Sequence, residues 1–238
     1  MLKQISLLIL CAVAIVLFAT PVHACTSAVV SGKVTLDGRP LLWKNRDTDF
    51  MRNHVDYVKG ERYDFIAVVN SANAYLKEAW MGTNSAGFAL MNTQSYNLVD
   101  VKGDEERGAA NGRVIYRALE VCATVEDFCH FLDTISKPSD IEANFGVIDA
   151  QGGAAMFEVD YYKYVMYDAN NPKDAPYGYI ARTNFSFAGK VNEGAGYVRY
   201  MEADQVLMKA SATGNITPQF IFNDLSRSFR NRMLDIDL

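Results

Sequence analysis

The chain has 238 residues, of which half are apolar and 12% aromatic, and its formal net charge is −5. This composition excludes an intrinsically disordered chain, which would be poor in apolar and aromatic residues. The acidic balance and the lack of a Lys/Arg run also argue against nucleic acid or anionic membranes as partners.

The first 24 residues have the layout of a secretory signal peptide. An apolar run at 7–19 is followed by the small-residue exit Val22-His23-Ala24, which is typical of a cleavage site. Cleavage after Ala24 predicts an exported protein, periplasmic or secreted, whose first residue is Cys25. The apolar run is shorter than the ~20 residues that span a bilayer, so we expect no membrane association after cleavage. Residues 25–238 are then expected to form one domain.

Cys25 would carry both a thiol and a free α-amine after this cleavage. An α-amine titrates near neutral pH and can act as the base for the thiol of its own residue. Two other interpretations remain open at this point. Cys25 could be a small buried residue that begins a strand, or a lipoprotein cysteine whose amine is blocked, although His23 is a poor match to the lipoprotein pattern.

The remaining elements follow in the order β, α, β, α. Strands are predicted at 26–30 and 41–43, as a hairpin turning at Asp37-Gly38, and then at 62–70, 75–82 and 87–94. Helices are predicted at 111–122 and 124–135, the second with a Thr124/Asp127 capping box. Further strands at 144–149, 152–160, 162–168 and 177–183 precede helices at 197–209 and after Thr217, with Pro218 in the first turn. This order predicts an α+β protein with two antiparallel sheets between helical layers.

The cysteine and histidine content narrows the chemistry. In an oxidising compartment Cys122 and Cys129 could form a disulfide, but two buried free thiols are an equal alternative that only geometry decides. After removal of the leader, His54 and His130 are the only histidines. This small number argues against a Cys–His or Ser–His–Asp mechanism, each of which needs a catalytic histidine. No zinc-ligand spacing or nucleotide-binding glycine motif occurs, so no metal or other cofactor is expected. A nucleophile that carries its own base is therefore favoured.

Several short blocks resemble one family. Cys25-Thr26-Ser27 and Lys44-Asn45-Arg46-Asp47 resemble the C-T start and the R/Q/K-N-x-D block of N-terminal-nucleophile (Ntn) hydrolases. The most similar branch is the linear-amide C–N hydrolases: choloylglycine hydrolase, penicillin V acylase, acid ceramidase and acyl-CoA:6-aminopenicillanic acid acyltransferase. Residues 87–92, 181–184 and 196–199 resemble that branch's G-L-A-x-x-x-N strand, T-N segment and R-[FY]-x-R helix start. The resemblance covers residues 25 to about 210.

The resemblance implies a four-layer αββα sandwich and a set of catalytic roles. The Cys25 thiolate would attack an amide carbonyl and form a thioester, and Asp47 would orient the Cys25 amine. Asn92 and Asn184 would donate hydrogen bonds to the oxyanion. Because many relatives continue further, the domain is expected either to lack its closing strands or to belong to a longer precursor.

Three cations complete the implied site. Arg199 and Lys44 would add positive charge that favours the thiolate, and Lys44 and Arg46 would contact substrate. Lys44 stands where several relatives have arginine, and lysine lacks arginine's bidentate geometry.

The predicted function is therefore an exported amidase or acyltransferase that cleaves a small-molecule acyl-amide through a thioester. An N-terminal-Cys dipeptidase and a non-catalytic lipoprotein or binding module acylated at Cys25 remain as alternatives. The sequence leaves open the substrate, the choice between hydrolysis and acyl transfer, and whether the chains form a homo-oligomer.

Overall fold

The computed structural model describes residues 25–99 and 108–227, with the backbone of 230–231 and 236–237. The predicted signal peptide lies outside these residues. The strands are β1 (Thr26–Val30), β2 (Leu41–Asn45), β3 (Asn53–Val58), β4 (Phe65–Asn70), β5 (Met81–Asn84), β6 (Ala89–Gln94), β7 (Ala143–Ile148), β8 (Ala154–Val159), β9 (Tyr164–Asp168), β10 (Tyr179–Arg182), β11 (Arg230–Asn231) and β12 (Ile236–Asp237). The α-helices are α1 (Asn111–Val121), α2 (Val125–Thr134), α3 (Tyr197–Ser211) and α4 (Pro218–Asn223).

Two antiparallel sheets form the centre of the fold. One has seven strands in the order β3-β4-β5-β6-β7-β8-β9, and the other has three in the order β10-β1-β2. Strands β11 and β12 pair only with each other among the described residues. The predicted fold class, two antiparallel sheets with helices in an α+β domain, is confirmed.

The alternation of side chains along the strands builds three apolar layers. On β8, Ala155 and Phe157 belong to a core beneath α1 and α2, whereas Met156 belongs to a core between the two sheets. A third core lies between the three-stranded sheet and helices α3 and α4. Because successive residues of a strand point to opposite faces, each sheet buries both faces, and the layers stack as αββα.

The close approach of the two sheets depends on one glycine of β7. A Cβ on Gly146 would come within 2.9 Å of Val29 Cγ2 on the facing sheet. Any side chain at this position would therefore push the sheets apart. The glycine lets β1, and Cys25 directly before it, pack against the larger sheet.

One strand prediction is wrong, and one strand of the fold was not predicted. Residues 75–82 were expected to be a strand, but a 3₁₀ turn at Ala74–Leu76 comes first and β5 begins only at Met81. Lys77 has a left-handed φ of 54°, which no strand accommodates. The sequence also did not predict β3, an edge strand whose residues are mostly exposed, because its stability comes from pairing with β4 rather than from a buried face.

The local turn and cap predictions hold. Thr124 and Asp127 form the predicted capping box of α2, and Thr217 caps α4 with Pro218 in the first turn. Within the described part of the chain, no helix is long and apolar enough to cross a membrane.

Candidate active site

The β1–β2 hairpin brings Cys25 beside the end of its neighbouring strand. Thr26 pairs with Asn45, so the chain after β2 passes directly beside Cys25. The Cys25 Sγ lies 3.6 Å from the main-chain carbonyl oxygen of Asp47, to which it donates a weak hydrogen bond. Cys25 is only 8% exposed, and the thiol is therefore held in a defined position.

Arg199, in the first turn of α3, connects Cys25 to Asn184. Its Nη1 donates to the Cys25 carbonyl oxygen at 2.5 Å and to Thr26 Oγ1 at 3.0 Å, and its Nη2 donates to Asn184 Oδ1 at 3.0 Å. Burial lowers the pKa of Arg199, while the negative charges of Cys25 and Asp47 oppose that shift. The guanidinium thus ties the start of β1 to the segment that follows β10.

The approach of Arg199 requires a glycine at the start of α3. Gly196 has a φ of +87°, and a Cβ there would lie 2.5 Å from Arg199 Nη2 and 2.8 Å from the Thr183 side chain. A side chain at this position would be strained and would displace the guanidinium.

Asn184 follows β10 and is completely buried. Its Nδ2 donates to the Gln94 carbonyl oxygen at 2.9 Å, and its own carbonyl accepts from the Ala195 N–H. The side chain is therefore fixed by β6 on one side and by Arg199 on the other. A fixed amide of this kind can donate to a developing oxyanion without reorganising.

Sequence reasoning missed Asn144, whose buried side chain holds the segment that carries Asn184. The Asn144 Nδ2 donates to the carbonyl oxygens of Thr183 at 3.2 Å and Phe185 at 3.1 Å, and to Thr93 Oγ1 at 3.1 Å. The Ser186 hydroxyl donates to Asn144 Oδ1 at 2.6 Å. The available signal was an asparagine within the otherwise apolar strand ANFGVI, since a buried amide needs partners.

Lys44 and Asn92 form a second hydrogen-bonded pair of the site. The Lys44 Nζ donates to Asn92 Oδ1 and to the Trp80 carbonyl oxygen, both at 3.1 Å. The pKa of Lys44 is lowered to about 8, because burial and the positive charge of Arg46 together outweigh the raising effect of the negative charge of Cys25. Because the Asn92 oxygen faces Lys44, its amide nitrogen is the group that could donate to an oxyanion.

Arg46 lies over the Trp80 ring, with its guanidinium carbon 5.1 Å from the ring centroid. Its Nη2 donates to Asn70 Oδ1 at 2.8 Å, and its Nη1 donates to Asn53 Oδ1. Burial lowers the pKa of Arg46, and the negative charge of Cys25 opposes this. Asn53 and Asn70 are further residues of the site that sequence reasoning missed, because they lie at the ends of strands with no catalytic motif.

The structure thus brings together all seven residues that were predicted for the site. The contact of Asp47 with Cys25 is through the Asp47 main-chain carbonyl, and its carboxylate acts on Arg199 through its charge.

The other two cysteines are free thiols in the structure. Cys122 is buried in the core beneath α1 and α2, whereas Cys129 Sγ turns toward Met166 Sδ, 3.8 Å away, on β9. Both side chains pack in the same apolar core, but the disulfide considered from the sequence is not formed. Among the described residues, no group of three or more His, Cys, Asp and Glu side chains could hold a metal ion.

Comparisons with known proteins identify a family for this chain. A family model described as acyl-coenzyme A:6-aminopenicillanic acid acyl-transferase matches residues 35–218. A search of curated protein sequences gives no significant match.

Solved structures with a similar fold include a Caenorhabditis elegans ortholog of N-acylethanolamine-hydrolyzing acid amidase. Its TM-score is 0.55 at 15% identity, and the match covers 84% of this chain and 89% of that chain. A mutant of the conjugated bile acid hydrolase from Clostridium perfringens has a TM-score of 0.50 at 15% identity, over 90% of this chain and 75% of that chain. At such low identity these likenesses show the fold alone.

Proposed function

Because the chain belongs to the acyl-coenzyme A:6-aminopenicillanic acid acyl-transferase family, we propose that it is an exported amidase or acyltransferase with Cys25 as its N-terminal nucleophile. In the full chain the Cys25 nitrogen is part of a peptide bond with Ala24. Removal of residues 1–24 would convert it to an amine on the same residue as the thiol. The proposal therefore requires processing before activity.

One observation carries the proposal: three cations act electrostatically with Cys25, and each of them hydrogen-bonds a side-chain amide. Arg199 contacts Cys25 directly and also holds Asn184, and the charge of Lys44 is coupled to that of Cys25. Cations favour a thiolate, and amide N–H groups stabilise the negative oxygen that forms when a thiolate attacks an amide. A cysteine that only began a strand would need none of these neighbours.

The reaction would then proceed in two halves. The amine of Cys25 takes the thiol proton, and the sulfur attacks the amide carbonyl to give a tetrahedral oxyanion that accepts from Asn184 and Asn92. Collapse breaks the C–N bond, the amine returns the proton to the leaving nitrogen, and a thioester remains on Cys25. Water then releases a carboxylic acid, or another nucleophile accepts the acyl group, and the free thiol is restored. Asp47 would orient the ammonium form of the amine during these transfers.

The test begins with the protein as it is made. The full chain is expressed with export, and its mature N-terminus and intact mass are determined; the expected product begins at an unblocked Cys25. A panel of amides follows: bile-acid conjugates, N-acyl amino acids, N-acylethanolamines, penicillin V and dipeptides. Turnover of dipeptides alone would favour the dipeptidase, and a large apolar mass on Cys25 would indicate a lipoprotein.

The nucleophile is tested by Cys25→Ser, with Cys129→Ser as the matched control because Cys129 is also a free thiol. Cys25→Ser is expected to abolish turnover and the acyl-enzyme mass without lowering the melting temperature, since a hydroxyl is a far weaker nucleophile. Cys129→Ser should retain both. Wild-type turnover in Cys25→Ser would show that the nucleophile assignment is wrong.

A further inference from the structure

A row of polar side chains crosses the larger sheet on the face that is turned toward the smaller sheet. Thr93 of β6, Asn144 of β7 and Glu158 of β8 are register partners, and all three are buried. The adjacent row on that face is apolar and consists of Met91, Gly146 and Met156. Buried polar groups are costly unless they are hydrogen-bonded, so the polar row requires partners on the facing side.

The partners include the main chain of residues 183–188, the segment that follows β10 and contains Asn184. This segment belongs to none of the strands described above, and side chains take the place of a strand ladder along it. Asn144 holds its first half through two carbonyl oxygens. Glu158 holds its second half, because the Phe187 N–H donates to Glu158 Oε1 at 2.9 Å and the Ala188 N–H donates to Glu158 Oε2 at 2.7 Å.

The carboxylate of Glu158 is itself fixed from the smaller sheet. Arg182, the last residue of β10, donates from Nε to Glu158 Oε1 at 2.6 Å, and the two side chains are 3% and 0% exposed. The Arg182 guanidinium also lies over the Phe187 ring, with its carbon 3.8 Å from the ring centroid. Hydrogen bonds to an ionised group are roughly twice as strong as those between neutral groups. Glu158 therefore holds the segment more firmly than a neutral side chain would.

The same segment is joined to the helix that carries Arg199. The Phe185 ring stacks on Tyr197 of α3, with the ring centroids 4.1 Å apart, and meets the Tyr200 ring edge-on at 5.5 Å. Asn184 accepts a hydrogen bond from Arg199. A shift of residues 187–188 would therefore be passed to Asn184 and to its contact with Arg199.

We propose that Glu158 is a positioning residue for the oxyanion site: its carboxylate, fixed by Arg182, sets the position of Asn184 from the other end of the segment. The proposal rests on the proposed amide-cleaving function, because Asn184 is an oxyanion donor only in that reaction. A carboxylate is needed here since Glu158 accepts three N–H groups at once. A glutamine of the same size offers one oxygen and one NH₂ group.

The test is Glu158→Gln in the processed enzyme, assayed with an amide of the panel that the wild type turns over. The new NH₂ group would face an N–H donor, and Arg182 would lose its counter-charge. We expect kcat to fall by about 10–100-fold with little change in KM, because the placement of Asn184 matters most in the transition state. Alkylation of Cys25 by iodoacetamide should keep its wild-type rate, since the sulfur displaces iodide without forming an oxyanion.

Asp149→Asn is the matched control. Asp149 is also buried, and its carboxylate also accepts main-chain N–H groups, those of Val125, Gln151 and Gly153. These bonds hold the start of α2 and a turn rather than the Asn184 segment. The control variant should therefore lower the melting temperature and leave kcat unchanged.

A double variant separates positioning from stability. Glu158→Gln combined with Arg182→Met removes both charges, and loss of both members of a buried ion pair costs less than loss of one. The melting temperature should recover relative to Glu158→Gln, whereas kcat should stay low because Phe187 and Ala188 still lack the carboxylate. The double variant also provides the test if Glu158→Gln alone does not fold.

The outcomes separate this proposal from the proposed function. Three results overturn the positioning role and leave the amidase intact: an unchanged kcat in Glu158→Gln, a kcat that recovers with the melting temperature in the double variant, or an equal loss of kcat in Asp149→Asn. A matching loss of the alkylation rate also overturns it, because the effect would then lie on the thiol. Absence of turnover of every amide by the correctly processed wild type overturns both.

Discussion

The charge of Lys44 predicts how kcat/KM depends on pH. Because burial lowers its pKa from 10.5 to about 8, the ammonium beside Cys25 would be lost within an accessible pH range. If that charge is required, kcat/KM should fall as the pH rises through about 8 and then approach a tenfold loss for each further unit. An arginine stays protonated throughout, so Lys44→Arg should keep its activity at pH values where the wild type has lost it.

The stability of the protein should rise with pH, whereas kcat/KM falls. Since the pKa of Lys44 is lower in the folded state than in the unfolded state, the unfolded chain binds more protons between about pH 8 and 10.5. The free energy of unfolding therefore rises with pH across this window, by up to about 3 kcal/mol from this residue. Lys44→Met should remove this contribution. Alkaline loss of activity would thus accompany a gain in stability and could not be ascribed to unfolding.

The assay measures kcat/KM and the melting temperature from about pH 6 to 10. This interval contains the lowered pKa of Lys44 and most of the range between it and the ordinary pKa of a lysine. Lys33→Arg is the matched control, because Lys33 is exposed and lies away from Cys25. An alkaline limb with the same midpoint in the wild type and in Lys44→Arg would refute the reasoning, since a different group would then be titrating.

Three further predictions concern the supports of the nucleophile. Asp47→Asn should lower kcat far more than the melting temperature, because the exposed carboxylate is assigned to the Cys25 amine; a lower melting temperature with unchanged kcat would assign it to structure alone. Asn184→Ala should lower kcat by roughly 10²–10³ if it donates to the oxyanion, and an unchanged kcat in a destabilised protein would make it a structural residue. Asn144→Asp replaces a donor to two carbonyls by a carboxylate, and should lower both stability and kcat, the latter at least about tenfold through misplacement of Asn184. Asn84→Asp is its control, since Asn84 is also buried and donates to two carbonyls, and should lower only the melting temperature; equal loss of kcat in both variants would contradict the positioning role.

The sequence by itself determined the features that depend on near neighbours. The β1–β2 hairpin, the capping box at Thr124 and the Thr217-Pro218 helix start follow from turn and cap chemistry within a few residues. The Lys44–Asp47 block was placed beside Cys25 for the same reason, because a hairpin fixes which residues face each other. The class of fold followed from the order of elements and from a family resemblance.

Only the tertiary structure decided which distant residues meet. Arg199 contacts Cys25 across 174 positions of the chain, and Asn144 supports the Asn184 segment from the facing sheet. Periodicity shows that a residue is buried but not which residue lies opposite, and therefore neither contact could be read from the pattern. The same limit applies to Cys122 and Cys129, which are close in sequence but form no disulfide. It also applies to the lowered pKa of Lys44, which depends on burial in the folded protein.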